Sequence, residues 1–185
     1  MKPVMAEGGN PSATDAETAA GTERLAVGGI KLSTPLVLIR WETIDPQTLE
    51  SMFERLTFAQ INLPVVLIDA AENAPCGMFC IDASEIDRAR PILQTVDGIR
   101  PIAPVVAVSV YPFGKRLTLL GKILQAFAER ALPIYAVGSS LASLVVLTDH
   151  DRRKDCLDSL LDHVSLPENH APFEPEFQVR YQERS

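Results

Sequence analysis

Two stretches of this chain repeat one another at a fixed distance, which narrows the folds open to it. Phe58-Ala59-Gln60-Ile61-Asn62-Leu63-Pro64 and Phe127-Ala128-Glu129-Arg130-Ala131-Leu132-Pro133 share Phe-Ala-x-x-x-Leu-Pro, 69 residues apart. In each half the shared stretch falls where a helical period gives way to an apolar run. The echo therefore marks one structural point twice and points to a duplicated unit.

The surrounding pattern repeats with it. A short strand within Ala26–Leu32 bends at Gly28-Gly29, and the apolar run Leu36–Ile39 reads as a buried strand. Asp45-Pro46 is an N-cap followed by proline at the first helical position. Leu49, Met52, Phe53 and Leu56 recur at helical spacing, predicting a helix over 46–59. Strands follow at Val65–Ile68 and Gly77–Ile81, around a loop at Glu72–Pro75. Ser84 reads as the cap of a helix carrying Ile86, Ala89 and Leu93, which Pro91 kinks or ends early. A strand at Gly98–Ile102 closes the first set.

The second set opens with a strand at Val105–Val110 and a loop at Pro112–Leu117. Leu119, Leu120, Ile123, Leu124 and Phe127 mark a helix. Strands at Ile134–Val137 and Ser143–Leu147 flank a turn at Gly138-Ser139-Ser140. Asp149 or Asp151 caps a helix whose inner face is Cys156, Leu157, Leu160, Leu161 and Val164, and a last strand fits Glu176–Tyr181. The order is β-α-β-β-α-β, twice. The expected fold class is α+β: two ferredoxin-like units, each an antiparallel four-stranded sheet with two helices on one face, paired edge to edge to hide exposed strands. Residues 1–22 are small and polar and are expected to be a disordered tail. Residues 23–102 make the first unit and 103–185 the second.

Composition excludes several functions. With 46% apolar residues the chain can bury a sizeable core, and a net charge of −7 gains nothing from counterions released by nucleic acid. Arg152-Arg153-Lys154, the one dense basic cluster, sits between Asp151 and Asp155 and reads as a solvated helix face. Three cysteines, no secretory signal and no bilayer-length apolar run suggest a reducing, cytoplasmic setting without a membrane partner. Cys76 and Cys80 share a strand face, and Cys156, His150, His163 and His170 complete a zinc set only on paper; a C-x3-C pair reads more simply as small core residues. Asp149-His150-Asp151 reads as a helix cap. Gly138-Ser139-Ser140 lacks a nucleophile elbow, and Gly114-Lys115 lacks the rest of a phosphate loop. No catalytic constellation, cofactor or metal is expected.

At this point the sequence resembles a known family. Tandem units of this size and order, from Leu25 to Tyr181, are similar to ACT domains, specifically the C-terminal regulatory pair of aspartate kinases. Gly138-Ser139-Ser140 and Ser143 match the family's Gln-Gly-Ser-Ser turn, Ile61-Asn62 its Asn-Ile region, Pro46 a proline before the first helix, and Ala26–Ile30 its entry strand. The chain ahead of Leu25 leaves no room for a kinase domain, so a free-standing regulatory pair is expected. The resemblance implies a non-catalytic protein that binds an amino acid between units, forms homodimers through its sheets and acts on a metabolic enzyme. It places the ligand near Ile44, Asp45, Gln47 and Asn62 in the first unit. In the second it points to Gly114, Lys115, Arg116, Gly138, Ser139 and Ser140. Neither first helix starts with the family's glycine, and Ala131 stands where the echo puts Asn62. The alternative is a degenerate pair kept only for dimerisation or docking.

Overall fold

The computed structural model describes residues 24–69, 75–114 and 116–174. The expected tail, most of the 72–75 loop and the expected strand at Glu176–Tyr181 lie outside them. The described strands are β1 (Leu25–Ala26), β2 (Gly29–Leu32), β3 (Leu36–Trp41), β4 (Val65–Asp69), β5 (Cys76–Asp82), β6 (Arg100–Tyr111), β7 (Ala136–Ser139), β8 (Leu144–Asp149) and β9 (Val164–Ser165). The helices are α1 (Pro46–Phe58), α2 (Ile86–Leu93), α3 (Leu117–Glu129) and α4 (Arg153–His163).

One seven-stranded sheet runs in the order β4-β5-β3-β6-β8-β7, with β2 also on β6. The strands expected separately at Gly98–Ile102 and Val105–Val110 are one strand, β6. Leu36 pairs with Val105 but Leu38 with Ile102, so β6 carries one extra residue there. That bulge absorbs Pro104, which has no N–H to give a ladder. β3 lies along the first half of β6, while β8 lies along the second. β2 takes the place beside the second half, pairing Gly29 with Tyr111 and Leu32 with Val108.

Strand alternation divides the core. Val37, Ile39 and Trp41 meet α1 and α2 in one apolar cluster, where Trp41, Phe53 and Phe79 stack edge-on and tilted at 5.5–6.4 Å. Val106, Val108 and Val110 meet α3 and α4 in a second cluster, together with Ile30 and Leu32 of β2 and Val27 just before it. Leu36, Leu38, Cys80, Val105, Ala107 and Leu147 point the other way and form a third. Each fully buried side chain of this size contributes about 1.5–3 kcal/mol. After α4 the chain returns along β2: β9 pairs with β1 in parallel, and the Leu32 N–H donates to the Phe173 carbonyl at 2.7 Å.

Local differences from the sequence reading have physical causes. Asp82, not Ser84, caps the segment before α2, its Oδ1 accepting from the N–H and hydroxyl of Ser84. Pro91 sits inside α2, which ends two residues later. Gly138 and Ser139 continue β7 in the ladder opposite Val145 and Leu144, so the turn falls at 140–143, where the Ser140 hydroxyl accepts from the N–H groups of Ala142 and Ser143. The sequence echo is out of structural register by two residues. The Ile61 N–H caps α1 by donating to Leu56, and the Leu132 N–H caps α3 by donating to Phe127. Leu56 and Phe127 are the true counterparts, both buried, while Phe58 is 92% exposed. Ala131 accordingly corresponds to Gln60, not Asn62, and both adopt positive φ, at 47° and 53°.

An alanine pays a steric cost at that position which glycine does not. Ala131→Gly is therefore expected to raise stability by about 0.5–1 kcal/mol, measured by urea unfolding.

Candidate functional site

The first predicted set does not converge. Ile44 is buried in the α1–α2 core. Asp45 and Gln47 open α1 and line a cleft of about 360 Å³ with Ser51, Arg55 and Thr95. Asn62 lies past the other end of α1, a 13-residue helix about 20 Å long, where its N–H donates to Glu85 Oε2. The helix start is already occupied by an anion. Asp45 Oδ1 accepts from the N–H groups of Gln47 and Thr48 at 3.1 and 2.9 Å. Hydrogen bonding from the Thr48 side chain and backbone holds the Asp45 carboxyl below its ordinary value. A ligand carboxylate would compete with this cap for the same N–H groups.

The second set is partly brought together. Gly114, at φ 55°, donates its N–H to the Leu141 carbonyl, so the loop after β6 is tied to the β7–β8 turn. Lys115 lies outside the described residues. Arg116 is spent on the backbone: Nη1 donates to Ala26 O at 2.9 Å, Nη2 to Pro112 O at 2.6 Å and Nε to Phe113 O. It staples the N-terminal strands to this loop rather than facing a ligand.

Gly138, Ser139 and Ser140 do line a cavity, and its far wall was missed by the sequence reading. β4 and β7, the two ends of the six-strand path, face each other across a cleft of about 260 Å³. Pro64, Val65, Val66 and Leu67 form one side; Ala136, Gly138, Ser139, Ser140 and Ser143 form the other. A Cβ placed on Gly138 would lie 3.8 Å from the Leu67 side chain. β4 begins directly after Leu63-Pro64, while Ile134 and Tyr135 separate Leu132-Pro133 from the start of β7, and no local signal reports that the two edges meet. The cleft is somewhat smaller than the roughly 300–1,000 Å³ typical of sites for drug-sized ligands. Its polar groups are serine hydroxyls and backbone. An unpaired strand edge alternates N–H donors and C=O acceptors, a pattern suited to the carboxylate and ammonium of a small zwitterion. Behind it, Arg40 Nη2 donates to Tyr135 O at 2.9 Å and the Tyr135 hydroxyl to Asp149 Oδ1 at 2.6 Å, joining β3 to the entry of β7.

Other candidates resolve into structure. Burial pushes the Cys80 and Cys156 thiols up to about 12 in separate cores. Among the described residues, no three His, Cys, Asp or Glu side chains gather as a metal site requires, and no helix is long and apolar enough to cross a membrane. His163 is buried and its Nε2 bonds Glu129 at 2.8 Å. Arg152 bonds Asp155, and Arg153 pairs with Glu174.

No protein-family model and no curated protein matches the sequence. Solved structures do. The regulatory subunit of aspartate kinase from Thermus flavus superposes with a TM-score of 0.64 at 17% identity, covering 75% of this chain and 98% of that one. The ligand-free regulatory subunit from Thermus thermophilus gives 0.64 and 17%, covering 75% and 99%. The chain has the fold of an aspartate kinase regulatory subunit. The aspartate kinase of Clostridium acetobutylicum matches over 80% of this chain but 37% of its own, with a TM-score of 0.65 at 13% identity. The likeness thus extends over nearly the whole of an aspartate kinase regulatory subunit and over a minority of a full aspartate kinase.

The lowered Asp45 carboxyl has a pH signature. Its contribution to stability is complete above its ordinary value of 3.8 and lost as pH falls through its lower folded value. Asp45→Ala is expected to destabilise at neutral pH, with the gap to wild type closing on acidification below that value, in urea melts across pH.

Proposed function

We propose that this protein is a non-catalytic regulatory module of two ACT-like units, residues 23–102 and 103–185, in which a small ligand of amino-acid type controls how the β4 and β7 edges close on each other. The observation that carries this reading is the cleft between those edges. It joins residues from both halves, includes three of the predicted ligand residues, and offers backbone donors and acceptors to a zwitterion. Binding there would favour one spacing of the edges over another, which is how a ligand shifts a conformational population. The fold shared with aspartate kinase regulatory subunits supports a regulatory role. A metabolic enzyme in the cytoplasm is the partner this reading implies.

A second reading is favoured by a separate observation. Asp45 fills one helix N-terminus and Arg116 is committed to backbone, while Phe58 at the end of α1 and Val66 and Ile68 on β4 expose large apolar side chains. Exposed apolar side chains on a sheet edge suit a homodimer or a docking partner better than a small ligand.

Calorimetry with each amino acid, run beside light scattering, separates the two. The first reading expects saturable heat with a small polar amino acid, and its loss in Gly138→Val, which narrows the cleft. No heat from any of them, with a stable dimer that Val66→Lys dissociates, would replace it by the second.

A further inference from the structure

The two halves also differ on their helix faces. On the helix face of the first half, Val37, Ile39, Leu93, Val96, Ile99 and Pro101 line an apolar cavity of about 450 Å³, with Arg90 and Gln94 at its rim. The second half shows what occupies the matching position. By strand pairing, Val37 and Ile39 correspond to Val106 and Val108. Ile39 pairs with Pro101 and Val108 with Leu32, so Leu32 takes the place of Pro101. On the helices, the buried Ala89 and Leu93 correspond to the buried Cys156 and Leu160, which makes Ile86 the counterpart of Arg153.

Phe173 sits between these markers. Its carbonyl accepts from the Leu32 N–H, the next residue, Glu174, pairs with Arg153 at 3.6 Å, and its ring packs on the second core. A phenyl ring therefore covers the second half where the first half keeps a cavity. Two wall positions change with it. α4 places Leu157 and Leu161 against its core, while at the same positions α2 has Arg90 and Gln94. Arg90 bonds Asp87 through Nη2 at 3.2 Å, and both side chains are well exposed. Such pairs contribute little and exchange partners readily.

We propose that this cavity binds a small aromatic carboxylate, its ring seated where the Phe173 ring sits in the other half and its carboxylate on Arg90. The site is separate from the β4–β7 cleft and does not depend on the reading given to that cleft.

The test is a methyl NMR titration of the full chain with 3-phenylpropanoate. Saturable shifts are expected at Val37, Ile39, Leu93 and Val96. Arg90→Gln, an exposed change that leaves the core intact, should weaken binding roughly two- to fivefold, and 3-phenylpropan-1-ol should bind wild type more weakly by a similar factor. Absence of these shifts at millimolar probe would overturn the proposal. So would equal binding of hexanoate, which would remove the aromatic preference, or unchanged affinity in Arg90→Gln. Shifts at the same methyls that follow protein concentration without probe would assign the cavity to a second copy of the chain and also overturn it.

Discussion

The structure depends on one strand that serves two cores. β6 spans Arg100–Tyr111; Val106, Val108 and Val110 enter the α3–α4 cluster, Val105 and Ala107 the inner cluster, and its first half is laddered to β3, whose Val37, Ile39 and Trp41 enter the α1–α2 cluster. Pro101 and Pro104 would break a central strand. They are tolerated because the first half of β6 is laddered to β3 and carries no β8 partner before Val105, and because the bulge leaves Pro104 unpaired. The chain ahead of β3 then completes the sheet, with β2 filling the place beside the second half of β6 and the segment up to Phe173 closing over it.

Chemistry follows from this continuity. Because the halves share a strand, the sheet curves until its ends, β4 and β7, approach each other, and the cleft between them draws on both. The positions that a duplicated ligand-binding unit would offer first are used internally: Asp45 caps its own helix and Arg116 fastens the N-terminal strands. The cleft, by contrast, presents serine hydroxyls and strand edges, and the wall under α2 is apolar.

Local signals were legible in the sequence. Asp45-Pro46 marked a helix start to the residue, and the 3.6-residue apolar period located the four α-helices of the described residues. The element order carried the fold class. What failed were features set by distant partners. The union of Gly98–Ile102 with Val105–Val110 depends on the β3 ladder continuing across a bulge in β6, and the placement of β2 depends on a strand some 80 residues away. The Phe-Ala-x-x-x-Leu-Pro echo pointed to the right turn in both halves but aligned an exposed Phe58 with a buried Phe127, because helix capping rather than residue identity fixes that register. Of the cleft, Gly138, Ser139 and Ser140 were pointed to through the family resemblance, while their turn-like composition hid that Gly138 and Ser139 are strand residues; the opposing wall at Pro64–Leu67 was not legible, because nothing local reports that two sheet edges meet.

Native-state hydrogen exchange tests the shared strand most directly. If β6 joins the halves, amides of β3 at Val37–Ile39 and of β6 at Val106–Val110 should exchange through one common opening, with the same free energy and urea dependence. Two separate openings, residues 36–99 in one and residues 106–164 in the other, would contradict it.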